Sequence, residues 1–240
     1  MIIGGLEKLS LIDFPGCIAT IVFTNSCNFR CHFCYNPMLV LTAGENKVEY
    51  KEEGHSLISE DDFFLFLESR IGKIDGVVIS GGEPTLQADL EEFIIKIRKL
   101  GFKIKLDTNG TNPEILKKLL DKKILDYVAM DIKAPLSKYE KIVGVKVNIE
   151  NIKKSVELLM AGDLPYEFRT TLVPSLHSLE DIIKISVEIA GAKKWFLQKF
   201  KSDTNLVNND FRNQDFFSSQ DIDSILGEIK KNVPNCQIRE

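Results

Sequence analysis

No apolar run in this 240-residue sequence approaches the ~20 residues that a membrane span requires. The opening, MIIGGLEKLSLIDFPG, carries acids and a proline where a secretory leader needs an unbroken apolar stretch. The sequence therefore reads as that of a cytosolic protein. Basic residues are in slight deficit, 31 against 35 acids, and no basic patch stands out. That balance excludes a general nucleic-acid binder, although not a site for a small anionic ligand. Repeats, low-complexity tracts and linkers are also lacking, which predicts one domain over residues 1–240. It carries an N-terminal extension (1–17) and one polar insertion near 41–55, LTAGENKVEYKEEGH. Cysteines number only five, and a second CxxC pair is missing. In a reducing cytosol this odd count argues against a disulfide framework, and the missing pair argues against a structural zinc site, which takes four ligands, usually as two pairs.

What is present is an ordinary balance, 44% hydrophobic and 28% charged, with a regular rhythm. Six short apolar runs, IATIVFT (18–24), GVVIS (76–80), FKIKLDT (102–108), YVAMDIK (127–133), YEFRTTLV (166–173) and WFLQKF (195–200), suit strands buried on both faces of a parallel sheet. Helical spacing follows from Ser59, Ala88, Asn112, Asn151 and Ser178, and a last helix is expected near 219–231 before a short final segment. This alternation predicts an α/β fold with parallel strands and right-handed crossovers. About six βα units are too few for an eight-stranded closed barrel, so a partial, open βα barrel is expected, with a flat doubly wound sheet as the competing fold. In both, ligands gather where strands end and loops begin.

Cys27, Cys31 and Cys34 directly follow the first of these strands, in TNSCNFRCHFCYNP. A four-iron cluster held by three thiolates leaves one iron without a protein ligand, whereas electron carriers normally close all four positions. An open iron can bind a substrate. For a zinc site His32 would be the fourth ligand, but it lies between Cys31 and Phe33, and neighbouring side chains tend to point apart. Cys17 and Cys236 read as structural or incidental.

The CxxxCxxC spacing, with Phe33 before the last cysteine, resembles the signature of the radical S-adenosylmethionine (SAM) enzymes. SGGEPTLQ (80–87), LDTNGTNPE (106–114), MDIKAP (130–135), FRTTLVP (168–174) and LQKF (197–200) fall in that family's order. With GLEKLSLIDFPG, the resemblance covers nearly the whole chain and points to the glycyl-radical-enzyme activases, nearest to those of anaerobic ribonucleoside-triphosphate reductase. It implies a 4Fe-4S cluster on Cys27, Cys31 and Cys34, with SAM chelating the open iron. Reduction by a flavodoxin or ferredoxin would split the sulfonium into methionine and a 5′-deoxyadenosyl radical. That radical would take a hydrogen atom from a backbone glycine of the partner enzyme. No conventional catalytic side chain is needed.

The remaining candidates have a plain reading beside the functional one. Gly81 and Gly82 follow a buried strand, where a ligand can approach backbone. For a lone Gly-Gly a simple strand-to-helix turn is the favoured explanation, but beside the thiol loop the balance reverses, and the resemblance implies that Gly81 and Gly82, with Glu83 in support, hold the methionine amino group. Asp107 and Asp131, near neighbouring strand ends, require positive partners, and Lys133 can supply one in an ordinary rim ion pair. The resemblance instead implies that Lys133 pairs with the cofactor carboxylate and that Asp107, Thr108 and Asp131 hold a monovalent cation. Phe33 and Tyr35 either pack on the adenine or fill the core. Arg169 faces either a bound anion or a structural carboxylate. Lys201 stands where a related activase has a histidine near the adenosine. His55 and His177, in polar loops, are expected to be solvated. Other targets remain open: a different glycyl-radical enzyme such as pyruvate formate-lyase, or a small molecule such as a deazapurine precursor. A non-catalytic iron-sulfur or zinc interaction module is the reading outside catalysis.

Overall fold

A computed structural model describes residues 1–40 and 57–239. The polar insertion expected near 41–55, and with it His55, lies outside the described residues. The chain divides into two compact units. The first comprises Met1–Asn28, Asn36–Thr108 and Glu114–Val128, and the second Phe29–Tyr35, Asn109–Pro113 and Ala129–Glu240.

In chain order the elements of the first unit are β1 (Ile3–Ser10), β2 (Ala19–Thr24), α1 (Pro37–Val40), α2 (Glu60–Glu68), β3 (Gly76–Gly81), α3 (Leu90–Lys99), β4 (Lys103–Thr108) and, apart from its first residue, α4 (Pro113–Asp121). β5 (Tyr127–Asp131) begins in the first unit and ends in the second. There follow α5 (Tyr139–Val143), α6 (Ile149–Ala161), β6 (Tyr166–Leu172), α7 (Leu179–Glu188), β7 (Trp195–Lys199), α8 (Ser219–Asn232) and β8 (Cys236–Arg239). Strand order follows chain order from β1 to β8. The six strands expected from the sequence are β2 to β7, and the two ends of the chain add the others. The N-terminal extension forms β1, antiparallel to β2, and the final segment forms β8, parallel to β7.

Register decides what the strand ends share. β2 and β3 run parallel with Ala19 opposite Gly76 and Thr24 opposite Gly81. β3 and β4 run parallel with Ile79 opposite Leu106. The loops leaving β2, β3 and β4 therefore emerge at one end of the first unit's sheet. In the second unit Phe168 of β6 faces Trp195 of β7, which faces Cys236 of β8.

Burial explains why these segments fold as they do. β2 is buried at five of six positions and β4 at all but its first, as strands covered on both faces must be. α3 turns Leu90, Phe93, Ile94 and Ile97 inward at helical spacing, and Phe93 stacks on Phe63 of α2 at 5.2 Å. Each fully buried side chain of this size contributes roughly 1.5–3 kcal/mol. Trp195 is wholly buried and donates its indole N–H to Thr170 Oγ1 at 3.0 Å, so the burial leaves no orphaned donor. Ser59 and Ser178 cap α2 and α7 as expected, Ser178 in a reciprocal box with Asp181. α6 departs from expectation. Its cap is Asn148, whose side chain accepts from Glu150 N–H, and Asn151 lies inside the helix. Cys17 lies half-buried beside Phe14, Ala19, Ile21, Val78 and Tyr127. Cys236 is buried on β8, where burial pushes its thiol up to about 12. Neither thiol is a disulfide partner.

Candidate active site

In the first unit, the segment that carries Cys27 is tied by its backbone to the end of β3. Gly82 N–H donates to Thr24 O at 2.9 Å and Glu83 N–H to Ser26 O at 2.8 Å. Gln87 Nε2 reaches Asn25 O at 2.8 Å, and Ser26, itself in the left-handed region at φ 80°, donates its N–H to Leu39 O at 2.8 Å. Gly81 turns at φ +112°, and a Cβ there would overlap the backbone of Thr24. A Cβ on Gly82 would overlap the Ser26 carbonyl. The Gly-Gly pair is thus dictated by a close approach of two backbones, one of them the thiol loop.

Glu83, expected to support the cofactor amino group, is fully buried with its carboxylate committed. Its Oε1 accepts from Thr85 N–H at 3.1 Å, Thr85 Oγ1 at 2.5 Å and Thr108 Oγ1 at 2.7 Å. It caps the short 3-10 turn Pro84–Leu86 and joins the end of β3 to the end of β4. Asp107, 8% exposed, accepts from Ser80 Oγ at 3.1 Å and forms an ion pair with Lys105, which is 1% exposed. Lys105 was not singled out in the sequence, although a Lys-x-Asp spacing in a buried strand places both side chains on one face.

In the second unit, Cys31 is buried and Cys34 half-buried, with Cys34 N–H donating to Cys31 O at 3.1 Å. The segment after β7 straps this turn: Val207 N–H donates to Cys34 O at 3.1 Å and Asn208 N–H to His32 O at 2.9 Å. His32 stacks on Phe211 at 5.5 Å, nearly parallel, which accounts for its ring without a metal. Phe33 is buried edge-on against Phe200 and His177. Tyr35 stacks on Phe200 at 5.9 Å, and its hydroxyl accepts from Lys201 N–H at 2.8 Å, while the Lys201 side chain is exposed.

Asp131 is the electrostatic centre of this unit. Arg169 Nε donates to its Oδ1 and Lys133 Nζ to its Oδ2, each at 2.9 Å. Burial opposes its charge, but the guanidinium and the ammonium outweigh burial and hold the carboxyl well below the usual range. Burial likewise works against the Lys133 ammonium, yet Asp131, Cys31 and Cys34 hold it charged well into alkali. Arg169 therefore has a structural carboxylate partner, one of its two expected roles.

His177 overturns its expectation. It is 1% exposed: a turn in which Leu176 and His177 N–H donate to Val173 O folds the ring back toward the Lys133 carbonyl. Its Nδ1 accepts from Val173 N–H at 3.1 Å, so Nε2 carries the proton and donates to Lys133 O at 2.8 Å. Only the neutral ring makes both bonds. Burial lowers its pKa, with Asp181 working against and Lys138 with that shift. The unfolded chain then binds the extra proton first. Stability conferred by His177 is complete above the ordinary value of about 6.5 and is lost as pH falls through the folded value, by up to about 1.4 kcal/mol per pH unit. Denaturant midpoints measured from pH 8 to 5 are expected to show this slope in the wild type and not in His177→Gln.

Among the described residues no group of three or more His, Cys, Asp or Glu side chains forms a ready-made metal site. Cys27 lies in the first unit and Cys31 and Cys34 in the second. Their joint role as ligands rests on the spacing in the sequence.

Comparison with known proteins bears on that spacing. The profile described as the Radical SAM superfamily matches residues 21–185. A protein of Methanocaldococcus jannaschii, provisionally named a glycyl-radical enzyme activating enzyme, is 32% identical over 99% of this chain and 95% of its own length. The pyruvate formate-lyase-activating enzyme of Clostridium pasteurianum is 33% identical over 77% of this chain and 74% of its own. The crystal structure of Streptococcus suis SuiB bound to S-adenosylmethionine superposes with a TM-score of 0.62 at 17% identity, over 92% of this chain and 52% of SuiB. That likeness shows the fold, the partial α/β barrel expected from the sequence. The superfamily's cofactors are a 4Fe-4S cluster and SAM. With a profile that spans its thiol loop and strands β2 to β6 and a full-length relative of the same kind, the chain belongs to the radical SAM superfamily and stands with its glycyl-radical-enzyme activating proteins.

Proposed function

We propose that the chain is a radical SAM activase that installs a glycyl radical on a partner enzyme, with anaerobic ribonucleoside-triphosphate reductase as the partner. The observation that carries this reading is the pinning of the Cys27 segment to the end of β3 by the backbone hydrogen bonds of Gly82 and Glu83, which fixes the first thiol of the CxxxCxxC spacing at a strand end. The residues fit the cofactors. Cys27, Cys31 and Cys34 stand outside any disulfide and would hold three irons, and Gly81 and Gly82 let the end of β3 lie against the thiol loop where a Cβ would overlap Thr24 or Ser26. When bound, the cluster and SAM supply one-electron cleavage of the sulfonium C–S bond and hydrogen-atom abstraction. The chain's own residues bind and orient. Lys133 and Arg169 bring two cations to one carboxylate, a charge balance suited to a ligand carboxylate. Phe33, Tyr35 and Phe200 form an aromatic wall at the Cys34 turn, and Lys201 stands at its rim.

A flavodoxin or ferredoxin is the expected reductant. Incubating the reconstituted protein anaerobically with reductant and SAM is expected to yield 5′-deoxyadenosine, and its absence from fully loaded protein would sink the enzyme reading. Capture of the partner followed by electron paramagnetic resonance then decides the target. A glycyl doublet on the reductase supports the assignment, and a doublet on another protein redirects it. The 33% identity to the Clostridium enzyme favours pyruvate formate-lyase as the second candidate.

A further inference from the structure

We propose that the ammonium of Lys105 is a built-in counter-charge, taking the place of the monovalent metal ion that the family resemblance assigns to Asp107, Thr108 and Asp131, so that this protein binds SAM without an alkali cation. The inference rests on the reading that SAM binds this chain, and it concerns residues already committed within each unit.

Lys105 and Asp107 lie two apart on β4, hence on one face, and both are buried. Lys105 Nζ occupies Asp107 Oδ1, and Ser80 Oγ donates to Oδ2 at 3.1 Å. Both oxygens thus have a protein donor. The Thr108 hydroxyl spends its proton on Glu83 Oε1 at 2.7 Å. In the other unit Asp131 is likewise committed, with Oδ1 to Arg169 and Oδ2 to Lys133. A buried carboxylate requires one compensating positive charge, and an ammonium and an alkali ion are alternatives for that role. A metal ion on Asp107 would compete with Lys105 for Oδ1 and with the Ser80 hydroxyl for Oδ2, and would stand beside the ammonium where water screens little. A lysine tethered two residues away is present at unit stoichiometry whatever the salt, and no ion need be captured.

The inference separates from a purely structural ion pair by cation specificity. Thermal midpoints of the apoprotein and SAM binding by equilibrium dialysis to the reconstituted protein would be measured in potassium, sodium and N-methylglucamine chlorides at matched ionic strength. The wild type is expected to behave alike in all three. Lys105→Met keeps much of the side-chain volume but leaves Asp107 without its cation. It is expected to bind SAM about tenfold or more weakly in N-methylglucamine and to recover saturably in potassium or sodium. Lys105→Arg, which keeps the charge, is expected to stay indifferent to the cation. A wild type whose midpoint or affinity rises specifically with potassium or sodium would overturn the proposal, and so would a Lys105→Met deficit equal in every salt. If Lys105→Met does not fold, the wild-type and Lys105→Arg salt series still decide. Failure of the wild type to bind SAM in any salt would instead sink the cofactor reading, leaving the thermal series to test the cation role.

Discussion

Serine at any one of Cys27, Cys31 or Cys34 is expected to lower 5′-deoxyadenosine formation by at least about a thousandfold, roughly 4 kcal/mol at 1.36 kcal/mol per decade. The reason is the donor count. Three thiolates already leave one iron open, and a serine hydroxyl, far less acidic and harder than a thiol, does not replace the third. Iron and acid-labile sulfide should fall together in each variant, before any assay of activity. Cys17→Ser and Cys236→Ser serve as controls, because both thiols sit apart from the loop and burial raises the pKa of each. They should retain the wild-type iron content, with some loss of stability at the buried Cys236. A Cys31→Ser protein that kept about four irons and full cleavage would remove the basis of the proposed chemistry.

The second large effect is expected at Gly82→Ala. The added methyl would overlap the carbonyl oxygen of Ser26, a backbone atom with no rotamer to yield. Relief requires separating the end of β3 from the thiol loop, which breaks the Glu83 N–H bond to Ser26 O. Overpacking and one lost hydrogen bond together cost roughly 2–4 kcal/mol, which in a chain of this size lowers the thermal midpoint by roughly 5–15 °C. Cluster incorporation should fall as well, since the displaced atoms adjoin Cys27. Gly227→Ala is the matched control. It sits mid-helix on α8 with no atom near the new methyl, so it should be neutral or stabilising by up to about 1 kcal/mol. Calorimetry and iron analysis on the pair separate the two positions, and equal midpoints for Gly82→Ala and wild type would show that the close approach is not required.

Legibility in the sequence followed the range of the interaction. Strands β2 to β7 were readable because a segment covered on both faces must be apolar throughout, and the Ser59 and Ser178 caps because a helix end is satisfied by residues within one turn of it. β1 and β8 were not assigned as strands: GLEKLSL mixes charges into its pattern, and CQIR is too short to show a period. Glu83 is expected to support the cofactor amino group, and its partners within the protein were not legible beside that expectation. Its commitment to Thr85 and Thr108 involves a residue 25 positions away.

By itself, then, the sequence determined the alternating α/β fold, the three-thiol spacing and the family, since these depend on periodicity and on donors a few residues apart. Only the tertiary structure decided that Lys105 neutralises Asp107, that Arg169 and Lys133 share Asp131, and that His177 is buried and neutral. A carboxylate or an imidazole takes its partner from whichever element the fold brings within about 3 Å, and nothing local in the chain states which that will be.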